Sequence, residues 1–215
     1  MIKAALFDLD GVVLDTERQY TKFWGGQMRR YHPEIPGLEH KIKGMTLDQV
    51  YDAYFYGQPE RREAITHALD DFERTMTFSY IPGFEAFVAQ LKNLDIRTAV
   101  VTSSNLSKMK SVYKKLPELP RHFDRILTSE DFARSKPHPD CYLRAAATFG
   151  AEPSACVGFE DSVNGLKAVR AAGMYAVALI TTNGRDVVQP LSDRVVDDFT
   201  QLNVNELLHA ACRQP

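Results

Sequence analysis

The chain opens with an almost unbroken apolar run, Ile2-Lys3-Ala4-Ala5-Leu6-Phe7, that stops at Asp8-Leu9-Asp10-Gly11. A short run without in-and-out alternation fits a strand buried on both faces of a parallel sheet. Gly11 supplies a sharp turn that a β-carbon would resist. From Thr16 to about Tyr80 the pattern changes. Apolar and aromatic residues recur at helical spacing: Tyr20, Phe23, Trp24 and Met28, then Leu47, Val50, Tyr51 and Tyr54, then Ile65, Leu69, Phe72 and Met76. Breaks fall at Pro33, Pro36-Gly37, Gly57 and Pro59. This predicts about four helices with Trp24 and the other aromatics in their core, and no strand.

Beyond Ile81-Pro82-Gly83, helix and strand alternate. The pattern predicts helices over 84–94, 106–116, 140–149 and 163–172, and strands over 96–101, 126–128, 156–159 and 176–180. Short strands separated by helices of about ten residues build right-handed βαβ units on a parallel sheet. The expected fold is α/β: a doubly wound, Rossmann-like parallel sheet, with an all-helical cap domain inserted after the first strand. The expected division is 1–15 with 84–215 for the α/β core and 16–83 for the helical cap.

Composition narrows the function. With 215 residues, 44% hydrophobic and 25% charged, the chain is an ordinary globular one. Its net charge of −2 does not suit a protein that neutralises nucleic-acid phosphates. The densest basic stretch, Lys108 to Lys115, reads as the solvated face of a helix. Apolar runs reach about six residues, against the roughly 20 needed to cross a membrane. The N-terminus carries acids where a signal peptide needs an apolar core. Cys141, Cys156 and Cys212 are too widely spaced for a metal knuckle, and their number is odd. The expectation is a cytoplasmic protein with reduced thiols, a monomer or weak dimer, with neither nucleic acid nor membrane as partner.

In open parallel sheets, ligands collect at the carboxyl ends of the strands. There the sequence delivers Asp8 and Asp10, then Thr102-Ser103-Ser104, then Lys136, then Glu160-Asp161. Clustered carboxylates repel unless a cation joins them, and hard oxygen donors suit Mg²⁺. One carboxylate can attack phosphorus, and a second can protonate the leaving oxygen and then activate water. Thr102 and Lys136 can hold the charge on the transferring group. Each piece also has a plain alternative. Thr102 or Ser104 could cap the helix that starts near Leu106, and Glu160, Asp161 or Ser162 the helix at Val163. Lys136 before Pro137 could be a loop lysine. What favours phosphoryl transfer is their coincidence at one sheet edge.

Phe7-Asp8-Leu9-Asp10-Gly11-Val12-Val13-Leu14-Asp15-Thr16 closely resembles the first motif of the haloacid dehalogenase superfamily. Val101-Thr102-Ser103-Ser104-Asn105 resembles the second, Ser135-Lys136-Pro137-His138-Pro139-Asp140 the third, and Gly158 to Gly165, around Glu160-Asp161, the fourth. The early helical insert is similar to the cap of the β-phosphoglucomutase-like subgroup. The resemblance implies Asp8 as nucleophile and Asp10 as general acid/base. It implies Mg²⁺ held by Asp8, the carbonyl of Asp10 and Asp161, with Glu160 in or beside that set. It implies Thr102, Ser103 and Lys136 on the phosphoryl group, and Tyr20 and Lys43 as cap residues that meet substrate. Tyr20 and Leu47 stand where the mutase has a histidine and an arginine, the latter placed by the Lys43-Gly44 pair. That favours an Mg²⁺-dependent phosphatase of a small organic phosphomonoester, a sugar phosphate among the candidates, over β-phosphoglucomutase. His138 is expected to be a structural loop residue. The non-enzymatic alternative is a phosphoacceptor signalling module.

Overall fold

The opening apolar run forms β1 (Ala4–Phe7), buried at every position. The computed structural model describes residues 1–212 except Gly44. After β1 come four helices in succession: α1 (Glu17–Tyr31), α2 (Leu38–Lys41), α3 (Leu47–Tyr54) and α4 (Pro59–Thr75). Then follow α5 (Phe84–Asn93), β2 (Arg97–Val101), α6 (Leu106–Lys115), β3 (Arg125–Leu127), α7 (Asp140–Thr148), β4 (Cys156–Glu160), α8 (Val163–Ala171) and β5 (Tyr175–Leu179). The chain closes with α9 (Arg185–Val188), β6 (Arg194–Val196) and α10 (Val204–Ala211).

All six strands pair in parallel, in the order β3-β2-β1-β4-β5-β6. Phe7 of β1 lies beside Val100 on one side and Phe159 on the other. The chain builds outward from β1 in both directions, so the order reverses there. Connections diverge at such a point and leave a crevice at the strands' carboxyl ends.

Strand alternation sorts the core into two layers. Ala5 and Phe7 face the side covered by α5, α6 and α10, where Phe7 stacks on Phe159 at 4.5 Å and meets Phe84, Phe87, Phe123 and Phe199 edge-on or tilted. Ala4 and Leu6 face the side covered by α7 and α8, with Tyr142, Leu166 and Val169. The insert has a separate core of Met28, Leu38, Ile42, Val50, Tyr51, Phe55 and Ile65, with Trp24 and Leu47 packed at its edge. The chain enters and leaves it side by side: Asp15 N donates to Ser79 O at 2.9 Å and Ile81 N to Val13 O at 3.0 Å.

The apolar spacing predicts five strands, and the sixth, β6, lies beyond them. It is the three residues Arg194-Val195-Val196, which pair in parallel with β5 at the sheet's edge. The helix α10 was legible in principle: Asn203 caps it through Glu206 N at 3.2 Å, and Val204, Leu207 and Ala211 are buried. Among the described residues no helix is long and apolar enough to cross a membrane.

Candidate active site

Asp8 is the first residue past β1, and its carboxylate meets Lys136 Nζ at 2.6 Å. Lys136 sits in the segment before α7, donates to Val101 O at 3.0 Å, and pairs with Glu160 Oε1 at 2.6 Å. Glu160 ends β4 fully buried; Tyr142 donates to its Oε1 at 2.6 Å and Ser162 to its Oε2 at 3.3 Å. The first turn of α8 covers it closely. A β-carbon on Gly165 would overlap the Glu160 carboxylate, so glycine is required there. Asp161 follows, bonded by the Thr182 hydroxyl, and Asn183 Nδ2 donates to its carbonyl at 3.0 Å. Gly11, at φ +78°, lies so close that a side chain there would overlap Asp161.

Asp10 turns elsewhere. Thr16 donates to its Oδ1 at 2.7 Å, Ser104 to its Oδ2 at 3.1 Å, and Lys108 forms an ion pair with Oδ2. Its side chain is outside the Asp8, Glu160 and Asp161 group, and the ligand the resemblance implies from this residue is the carbonyl. The capping alternatives resolve locally. Asn105 caps α6, accepting from Lys108 N at 2.9 Å, and Ser162 caps α8, accepting from Gly165 N at 3.0 Å. Thr102 and Ser103 line the cavity, and the Thr102 hydroxyl accepts from Ser104 N at 3.0 Å. His138 accepts from Asp140 N at 3.1 Å and serves the start of α7.

A cavity of about 390 Å³ lies between the sheet edge and the insert. Tyr20 and Lys43 both line it. Tyr20 donates to Glu73 at 2.8 Å, and Lys43 pairs with Glu17 at 3.4 Å and reaches Thr182 O at 3.4 Å. Gln49, which completes the capping box of α3 with Thr46, also donates to Lys136 O at 3.1 Å. Leu47 lines the cavity while packing on the insert's core; Gly44, used to place it, lies outside the described residues.

Lys108 overturns one sequence expectation. It is not on a solvated face but 4% exposed, beside Asp10 and 4.7 Å above the Tyr20 ring. Lys110, Lys114 and Lys115 are exposed, as expected of a solvated face, and Lys115 Nζ donates to Arg74 O at 2.6 Å near the end of α4. Spacing along α6 could not show the burial of Lys108, because the burying surface comes from another part of the chain. Glu73, Glu17 and Tyr142 were missed for the same reason. Thr16 did carry a signal, standing within the first motif.

The electrostatics fit a divalent cation. Burial pushes the Asp8 carboxyl up to about 7; Glu160 and Asp10 push the same way, while Lys136 opposes them. Burial raises Asp161 well above the carboxylate range, and Glu17, Asp8 and Glu160 add to it. Burial disfavours the Lys136 ammonium, but Asp8 and Glu160 outweigh it and keep the group charged. One oxygen each from Asp8, Glu160 and Asp161 lies within 4.8 Å of the others. Crowded hard oxygens suit Mg²⁺, and a cation there would favour the ionised forms that burial opposes in Asp8 and Asp161. Glu160 already serves Tyr142, Ser162 and Lys136, so Asp8 and Asp161 have more free capacity.

Residues 2–173 match the family model described as haloacid dehalogenase-like hydrolase. The chain belongs to the haloacid dehalogenase-like hydrolases. Hexitol phosphatase B of Escherichia coli (strain K12) is 30% identical over 96% of this chain and 97% of its own. The β-phosphoglucomutase of Bacillus subtilis (strain 168) is 27% identical over 99% of this chain and 96% of its own. A solved family IA hydrolase from Entamoeba histolytica superposes with a TM-score of 0.83 at 20% identity, over 98% of this chain and 99% of its own. The chain is thus a haloacid dehalogenase-type enzyme of phosphatase kind, in the β-phosphoglucomutase-like group, and not a signalling module. Family members generally use Mg²⁺.

Proposed function

We propose that this haloacid dehalogenase-like enzyme is an Mg²⁺-dependent phosphatase that hydrolyses a small organic phosphomonoester through an aspartyl-phosphate on Asp8. The observation that carries the reading is the unlike setting of two acids only two residues apart. Asp8 faces Lys136 and the metal-type acid cluster, while Asp10 is held off it by Thr16, Ser104 and Lys108. That difference supports Asp8 as the group that attacks and Asp10 as the one that moves a proton.

In this reading an Asp8 oxygen forms a bond to phosphorus as the phosphorus–alkoxide bond breaks, and Asp10 gives its proton to the alkoxide. Asp10 then takes a proton from water, whose oxygen attacks phosphorus and releases phosphate from Asp8. Lys136, Thr102 and Ser103 hold the phosphoryl oxygens. Mg²⁺, bound by Asp8, Asp161 and the Asp10 carbonyl with Glu160 alongside, would neutralise charge on the phosphoryl group. Residues 16–83 act as the cap that excludes water and reads the leaving group. Asp8→Asn should lower kcat by at least roughly 10³-fold and abolish acid-stable labelling of the protein by phosphate-labelled substrate. Retention of a tenth of wild-type turnover would sink this mechanism.

Hydrolysis is preferred to mutase chemistry because Tyr20 is engaged with Glu73 and Leu47 packs on apolar side chains. Neither is a group that holds a second phosphate. Given β-glucose 1-phosphate, the enzyme should release inorganic phosphate, if it turns the sugar over at all. Efficient glucose 6-phosphate formation that depends on a trace of the bisphosphate would reverse the assignment.

A further inference from the structure

Two buried charged side chains line the cavity without touching the phosphoryl group in the reading above. Lys108, near the start of α6, is 4% exposed, and Glu73, in the last turn of α4, is 8% exposed. Burying an ammonium or a carboxylate is costly unless it is paired. Here Lys108 pairs with Asp10, the acid that serves the leaving oxygen, and lies over the Tyr20 ring. Glu73 accepts from the same tyrosine's hydroxyl at 2.8 Å. The three side chains come from the core and from two helices of the insert, and they meet beside the point where the leaving group departs.

We propose that Lys108 and Glu73 form a leaving-group subsite that binds a hydroxyl on the carbon next to the phosphoester, so that the substrate class is an uncharged polyhydroxy phosphomonoester. This rests on the phosphatase reading above. Vicinal oxygens of a polyol are about a hydrogen-bond length apart. An ester oxygen at Asp10 therefore brings its neighbouring hydroxyl to the Lys108 ammonium, which donates to the oxygen, while Glu73 accepts the hydrogen. A donor and an acceptor together suit a hydroxyl, which is both. The insert's wall supports an uncharged leaving group. It carries Glu17, Glu39, Asp48, Asp70 and Glu73 against one lysine, Lys43, already paired with Glu17. Among the described lining residues there is no arginine. A second phosphate or a carboxylate would meet mostly like charge, which opposes binding.

The test is a matched pair of esters, glycerol 3-phosphate and 3-hydroxypropyl phosphate, which differ by the vicinal hydroxyl. The wild type should favour the first by about 10-fold or more in kcat/KM, the scale of hydrogen bonds between the hydroxyl and charged groups. 2-Phosphoglycolate, which carries a carboxylate at that carbon, should be poorer than glycerol 3-phosphate. In Glu73→Gln and in Lys108→Met the preference should fall to within about 3-fold of unity. The readout is a ratio within each variant, so a loss through misfolding or through Asp10 cancels. Should those variants turn over neither ester, Tyr20→Phe removes only the hydroxyl that holds Glu73. It should raise KM for glycerol 3-phosphate and leave that for 3-hydroxypropyl phosphate in place. A wild-type enzyme that hydrolyses acetyl phosphate but shows no preference within the pair, or accepts neither ester, overturns the subsite and spares the phosphatase reading. So does a preference that survives all three substitutions. Failure with acetyl phosphate and p-nitrophenyl phosphate alike would remove the phosphatase reading itself.

Discussion

Asp10 holds three partners at once, Thr16, Ser104 and Lys108, and its carboxylate stands outside the Asp8, Glu160 and Asp161 group. The two roles proposed for it can be separated by the leaving group. Asp10→Asn keeps the carbonyl and removes the proton. An alkyl phosphate needs that proton, so its first step should slow by roughly 10²–10⁴-fold. p-Nitrophenolate departs unaided, so its first step should be nearly spared, while hydrolysis of the phosphoenzyme slows for want of a base. Rapid mixing should therefore show a burst of about one p-nitrophenol per active site. Steady turnover at the wild-type rate with no burst would leave Asp10 a structural residue. The residue types here were legible from Asp8-Leu9-Asp10-Gly11 and Thr16. Their partner Lys108 was not, because a lysine in a basic stretch looks solvated until the surface that buries it is known.

At the scale of elements, helix starts and strand ends place the site. Ser162 caps α8, and the first turn of that helix lies so tightly over Glu160 that Gly165 has no room for a side chain. Gly165→Ala should therefore destabilise the protein through overpacking by about 1–3 kcal/mol. In a chain of this size that is a fall in Tm of roughly 2–10 °C, measurable by thermal unfolding. Displacement of Glu160 would also disturb Lys136, which it pairs at 2.6 Å, so activity should fall with stability. An unchanged Tm would mean that α8 shifts freely. The helices of the insert and the alternating helices and strands as far as β5, the three-residue edge strand β3 included, were legible from apolar runs between turn signals. β6, with three residues, and α9, with four, were not, because their form comes from neighbouring elements.

For the whole molecule, the buried acids at the domain junction set a pH dependence. The Asp8 carboxyl sits at about 7 in the folded protein and near 4 in an unfolded chain. Between those values the folded state holds a proton that the unfolded state has released. Stability of the metal-free protein should thus fall as pH rises through that window. Burial raises Asp161, Glu17 and Glu73 in the same direction. Asp124, Glu130 and Asp140 are lowered by hydrogen bonds that overcome burial, and their contribution is lost only at more acid pH. In EDTA, Tm should decline from pH 5 to pH 8. Mg²⁺ binds the ionised acids, so it should raise Tm more at pH 8 than at pH 5. An equal rise at both values would show that the metal does not meet these carboxylates.

The sequence by itself determined the parallel α/β sheet, the helical insert after the first strand, and the acids, hydroxyls and lysine at the strand ends. These follow from local rules: strands buried on both faces read as apolar runs, helices as a 3.6-residue period, and strand ends as the places where polar residues interrupt them. Tertiary structure alone decided which way each carboxylate points and what it meets. Asp8 and Asp10 are equivalent in spacing, yet one faces Lys136 and Glu160 and the other Thr16, Ser104 and Lys108. It also decided that Glu73, Tyr20 and Lys108, up to 88 positions apart in the chain, share one cavity. Burial and charge pairing depend on what packs against a side chain from outside its own element, and no period along the chain encodes that.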